Sequence, residues 1–137
     1  RQVEVLKGAC VLLRRKALDE VGLLDESYFM YTEEVDLCLR FHEAGWELWW
    51  LPTAQVIHYG EASSRQVAEK MYVELYRSKV KFYRKFGGSR RAARFKRLVR
   101  LAYWPRAIVT AVTAPYSQQM RELGQLHRRL LQELSKM

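Results

Sequence analysis

Near residue 62 this chain changes both its charge and its hydrophobic period, and that break limits what it can fold into. Residues 1–60 carry six Lys and Arg against ten Asp and Glu, whereas residues 61–137 carry eighteen against five. The first part mixes short period-two runs with short helical ones. The second is helical throughout. The sequence therefore predicts an α/β part over 1–62 and an all-α, amphipathic basic part over 63–137. No internal repeat and no low-complexity segment blurs the boundary.

Within the first part, Val3 to Leu6 and then Gly8 to Leu13 read as buried strand. Gly8 marks a place where backbone or ligand approaches closely. Arg14 to Val21 reads as a short helix stopped by Gly22. Leu23 to Tyr31 is a loop rich in acids and aromatics. Thr32 is the expected N-cap of a helix from Glu33 to Ala44 that ends at Gly45. Trp46 to Leu51 and Ala54 to Tyr59 read as strands on either side of Pro52.

In the second part, helix is predicted from Ser64 to Phe86, with an apolar stripe that includes Met71, Tyr72, Leu75 and Phe82. Gly87 and Gly88 end it, and Ser89 caps an arginine-rich helix that Pro105 interrupts. Ala107 to Ala114 is an apolar stretch closed by Pro115, and a last amphipathic helix covers Ser117 to Leu134.

A chain of 137 residues with 49% hydrophobic content can bury a core. Its two cysteines, Cys10 and Cys38, form no CxxC pair and sit in apolar patterns. They read as buried thiols in a reducing compartment, which excludes a disulfide scaffold. No signal peptide is visible, and the opening on Arg1 reads as a piece of a longer protein. A membrane span is excluded for the tail, because Arg100 and Arg106 interrupt an apolar run far shorter than the ~20 residues a span requires.

The run Glu33-Glu34-Val35-Asp36 places three acids in one helical turn, directly after Tyr28-Phe29-Met30-Tyr31. A helix start carries positive dipole charge and stabilises carboxylates. A carboxylate at the mouth of a cleft is suited to act as a general base. Asp36 and Arg40 are spaced to pair along the helix face. Tyr31 and Trp46 are candidates to stack on a sugar, while Phe29 reads as core. Trp49 and Trp50 point to opposite faces of a strand, so one of them is expected inside.

Taken in order, Gly8-Ala9-Cys10-Val11-Leu12-Leu13-Arg14-Arg15, Val21-Gly22-Leu23-Leu24-Asp25-Glu26, Tyr28 to Tyr31, Glu33 to Leu37, Ala44-Gly45-Trp46, Pro52 and His58 resemble a known family. It is the acceptor-side half of family 2 inverting glycosyltransferases of the GT-A (nucleotide-diphospho-sugar transferase) fold, in the rhamnosyltransferase-like branch. The resemblance covers roughly the first half of the chain and rests on several motifs in fixed order. It implies a sugar moved from a nucleotide-sugar donor to a hydroxyl of a glycan or lipid-linked acceptor, in cell-surface glycan synthesis. It makes Glu34 the catalytic base, where the family usually has Asp, with Glu33 as the flanking acid. Tyr31, Trp46 and Arg15 become substrate-binding candidates. His58 takes the place of a ligand to a divalent metal, Mg or Mn. Such an ion needs carboxylate partners, which the family draws from an Asp-x-Asp motif that is not in this sequence. The resemblance thus implies half of an enzyme.

Arg and Lys interleaved with Leu98, Leu101, Tyr103, Trp104, Ile108 and Val109 suit a helix lying on an anionic membrane surface. No nucleic-acid recognition motif accompanies the charge, so no nucleic acid is expected. The expected location is cytoplasmic and peripheral to the membrane. The competing reading is a non-catalytic basic helical module, binding anionic membrane or nucleic acid, behind a remnant transferase segment.

Overall fold

The computed structural model describes residues 1–59 and 68–137. The chain divides into two compact units, Arg1–Gln66 and Val67–Met137. In chain order the elements are β1 (Gln2–Val3), α1 (Arg15–Val21), α2 (Glu33–Glu43), β2 (Leu48–Trp49), α3 (Ala68–Thr113), a 3₁₀ turn (Ala114–Tyr116) and α4 (Gln118–Lys136).

The first unit is built around α2. Phe41 and Leu37, one turn apart, bury the same face of α2 with Cys38 beside them. They pack on Ala17 of α1 and Leu48 of β2. Leu6, Leu13, Leu18 and Trp46 close over this cluster. Glycine ends both helices for a conformational reason. Gly22 (φ 83°) follows α1, its N–H donating to Leu18 O at 2.8 Å. Gly45 (φ 81°) follows α2. There Trp46 N–H donates to Phe41 O at 2.8 Å and Gly45 N–H to His42 O at 3.0 Å. That paired closure needs a left-handed residue, which glycine adopts without a Cβ clash.

Strand content is far lower than the alternating pattern predicts. β1 and β2 are two residues each, antiparallel, with Gln2 opposite Trp49 and Val3 opposite Leu48. Residues 8–13 and 54–59 are not strand. A run of apolar residues becomes strand only where a neighbouring backbone takes its hydrogen bonds, and among the described residues only this one pairing forms. The expected inside-outside alternation of the tryptophans fails with it: Trp49 and Trp50 are both exposed, and Leu48 fills the core instead. Phe29 and Cys10, expected inside, are exposed as well.

The second unit is helical. α3 breaks once, at Gly88 (φ 71°, ψ 179°), so the segments before and after it can fold against each other. Gly87 is also fixed, since a Cβ there would lie 2.0 Å from the Arg91 Cδ. Val80 from before the break, Ala92 and Val99 from after it, and Leu130 and Leu134 from α4 make the core. Tyr72, Tyr76 and Tyr103 join at their hydroxyls, Tyr76 to Tyr103 at 2.7 Å, with Tyr72 also bonded to Tyr103. Gly124 lets α4 approach Thr110 of α3: an added Cβ would sit 3.2 Å from Thr110 Oγ1.

Pro105, expected to interrupt the arginine-rich helix, lies inside it. Side chains serve the carbonyls of the turns around it. Arg106 donates to Ala102 O, and Thr110 Oγ1 donates to Arg106 O at 2.8 Å and is 3.1 Å from Ala107 O.

Candidate active site

The first turn of α2 is entered through a strained backbone. Tyr31 (φ 67°) and Thr32 (φ 74°) are both left-handed, and they are the non-glycine residues at positive φ among those described. For a β-branched threonine this is an unfavourable conformation, of order 1–3 kcal/mol. Thr32 makes no side-chain cap, in contrast to its expected role. Thr32 is itself buried, directly before Glu33 and Glu34.

Both acids border an apolar cavity of about 170 Å³ lined also by Leu6, Gly8, Val11, Leu24 and Cys38. One oxygen of each, Glu33 Oε2 and Glu34 Oε2, is shielded from solvent and has no hydrogen-bond partner. Gly8 runs its backbone against Glu34: an added Cβ would be 3.7 Å from Glu34 Cβ. Cys38, one turn along α2, accepts a hydrogen bond from Leu6 N–H at 3.4 Å. Burial pushes the Cys38 thiol pKa up and the charge of Glu34 adds to it, while the Leu6 bond opposes both.

Asp36 is used quite differently. It is fully buried, its Oδ1 receiving Arg40 Nε at 2.7 Å and its Oδ2 the Tyr28 hydroxyl at 3.1 Å. Arg40 reaches further and donates to Val21 O at 2.5 Å and to Leu23 O at 2.8 Å. One guanidinium thus ties the end of α1 and the following loop to α2. Burial, then the charge and hydrogen bond of Asp36, push the Tyr28 hydroxyl pKa well above its ordinary value. The i,i+4 spacing of Asp36 and Arg40 was legible. The contribution of Tyr28, eight residues upstream, carried no sequence signal.

The other expected site residues do not meet at this cavity. Tyr31 is half-buried just before the acids and is not among the lining residues. Trp46 borders a separate cleft of about 450 Å³ with Arg14, Glu47 and Trp49. Its indole N–H donates to Glu20 Oε2 at 3.0 Å, and the Arg14 guanidinium lies 5.9 Å from its ring centre. Leu6, Leu13, Phe41 and Leu48 line both the cleft and the cavity and form the wall between them. Arg15 is exposed and paired with Asp19 at 2.8 Å on the surface of α1. His58 is exposed and lies outside any strand. Among the described residues no three His, Cys, Asp or Glu side chains converge. Among the described residues His58 therefore completes no cation site.

Comparison with known proteins agrees with the motif order. The family model described as glycosyltransferase-like family 2 matches residues 1–76. An N-acetylglucosaminyl-diphospho-decaprenol L-rhamnosyltransferase of Mycobacterium tuberculosis is 49% identical over 59 residues, which are 43% of this chain and 19% of that protein. Rhamnosyltransferase WbbL of Escherichia coli is 36% identical over 70 residues, 51% of this chain and 26% of the relative. The low-salt glycan biosynthesis hexosyltransferase Agl10 of Haloferax volcanii is 35% identical over 40 residues, 29% of this chain and 13% of the relative. The chain thus spans about a quarter or less of the length of these relatives. No solved structure matches it.

Proposed function

The chain belongs to glycosyltransferase-like family 2, and on that premise we propose that residues 1–62 are the acceptor-side, base-carrying part of an inverting sugar transferase. The donor is a nucleotide-sugar. The relatives named as rhamnosyltransferases favour rhamnose as the sugar, and the decaprenol-linked acceptor in one relative's name favours a lipid-linked glycan, in cell-surface glycan synthesis.

The observation that carries the reading is the contrast between two carboxylates of one helix. Asp36 is fully committed to Arg40 and Tyr28. Glu34 borders an apolar cavity and keeps an oxygen with no hydrogen-bond partner. A general base must have such an oxygen available to a substrate proton. Glu34 takes the proton of the acceptor hydroxyl as that oxygen attacks the anomeric carbon. The bond from that carbon to the diphosphate breaks, the leaving group departs with the electron pair, and configuration inverts. Glu33, similarly unpartnered, is the flanking acid. Tyr31, Trp46 and Arg15 remain proposed substrate contacts, which for Trp46 means an acceptor extending into the second cleft.

The family generally uses a divalent metal. His58 is the proposed donor from this segment, and the described residues do not complete a site around it. No step is therefore assigned to a metal held by this chain.

The test is Glu34→Gln in the full-length protein. Sugar transfer should be lost while nucleotide-sugar binding is kept. Turnover equal to wild type overturns the assignment of the base and returns the segment to the remnant reading.

A further inference from the structure

After Gly88, α3 presents an apolar face that nothing among the described residues covers. Leu98, Leu101, Trp104, Ile108, Val109 and Val112 are all exposed, Trp104 at 65% and Val112 at 68%. Their spacing of three and four residues puts them on one stripe, and Tyr116 extends it past the helix end. At 100° and 1.5 Å per residue the stripe is roughly 140° wide and about 27 Å long. This is a second face, separate from the one on which Ala92 and Val99 enter the helical core.

Charge identifies what fits it. From Leu75 to Arg121 the sequence contains thirteen Lys and Arg and no acid. Arg90, Arg94 and Arg97 continue the same helical face upstream of Leu98. They are exposed and make no ion pair among the described residues. Arg100 borders an apolar recess of about 440 Å³ with Leu101, Trp104, Pro105 and Leu131. Cationic groups at one end and rim of an apolar stripe match an anionic headgroup layer over acyl chains. A second copy of the chain carries the same uncompensated positive charge along this helix, which opposes its approach. No helix is long and apolar enough among the described residues to cross a membrane, so the match is to a helix lying in the interface.

We propose that the 98–116 face of α3 lies in the headgroup layer of an anionic membrane, with Leu101, Trp104, Ile108 and Val112 inserted and Arg90, Arg94 and Arg97 on lipid phosphates. This goes beyond the sugar-transfer reading and is independent of it, because lipid binding needs no donor or acceptor.

The test is co-sedimentation of the chain with vesicles of phosphatidylcholine alone and of phosphatidylcholine mixed with phosphatidylglycerol. Binding should require the anionic lipid and weaken with salt without vanishing, because the apolar insertion is not screened. Trp104→Glu and Val112→Glu should each lower binding at least about tenfold. Gln125→Glu, which adds the same charge at an exposed position on α4, should lower it little. Helix content by circular dichroism should be the same in all three, since each substituted side chain is exposed. Equal binding to neutral vesicles, absence of binding, or equal loss in all three variants overturns the proposal. A dimer in lipid-free buffer that Trp104→Glu dissociates also overturns it, in favour of a second copy as occupant.

Discussion

Asp36 and Arg40 form a 2.7 Å ion pair in which the carboxylate is fully buried and the arginine side chain is 18% exposed. The pair holds more than one helix face. Through Arg40 it fastens the carbonyls of Val21 and Leu23, and through Asp36 the hydroxyl of Tyr28. Removing one partner leaves a buried charge without compensation, so Arg40→Ala should cost about 3 kcal/mol and Asp36→Asn a comparable amount. Urea unfolding of the chain measures both. A loss below about 0.5 kcal/mol, as for an exposed pair, would show that the clip does not hold the unit together.

The same measurement separates Glu34 from Asp36. Glu34 has no partner to lose, and its shielded oxygen carries a desolvation cost. Glu34→Gln should therefore leave stability unchanged or raise it. A destabilisation as large as that of Asp36→Asn would give Glu34 a structural task and weaken its assignment as base.

The helical unit should be acid-sensitive through His127. Its imidazole is buried, with Nδ1 unpartnered, and packs edge-on against Tyr103 at 5.3 Å. Burial pushes its pKa below 6.5 and the charge of Arg106 adds to this, against an opposing hydrogen bond to the Arg106 backbone. The unfolded chain then takes up a proton before the folded one does. The contribution to stability is whole above about pH 6.5 and declines as pH falls toward the lower folded value. His127→Phe should flatten unfolding free energy against pH in that range. An unchanged slope would contradict the burial account.

The approach of α4 to α3 at Gly124 is tight. Thr110 cannot turn away freely, because its hydroxyl is bound to the carbonyls of Arg106 and Ala107. Gly124→Ala should lose about 2 kcal/mol to overpacking and regain about 1 from helix propensity, a small net destabilisation. Adding Thr110→Ala, which removes the crowded oxygen, should recover part of it. A thermal midpoint that rises for Gly124→Ala alone would show that the helices separate easily.

Residues that act through local geometry were legible in the sequence. Gly22 and Gly45 set the ends of α1 and α2, and Gly88 set the break in α3, because a left-handed φ after a helix selects glycine. The acidic turn and the Asp36–Arg40 spacing follow from helical period alone. The strands did not follow, because Gly8 to Leu13 is apolar enough for a strand and yet finds no backbone partner among the described residues. Pro105 carries the usual sequence signal of a helix stop, yet the helix runs through it. In the sequence the stripe after Leu98 shows only as apolar residues among arginines. That these residues form a face apart from the helical core became visible only once Ala92 and Val99 were seen to fill that core.

The central claim is that Glu34, which borders the apolar cavity and keeps an unpartnered oxygen, removes the acceptor proton. The measurement that tests it most directly is the rate of sugar transfer by Glu34→Gln in the full-length protein at saturating donor and acceptor. Loss of a general base predicts a fall of about a hundredfold or more, with donor affinity and unfolding midpoint unchanged. A rate within a few-fold of wild type, at unchanged fold and donor affinity, would contradict it.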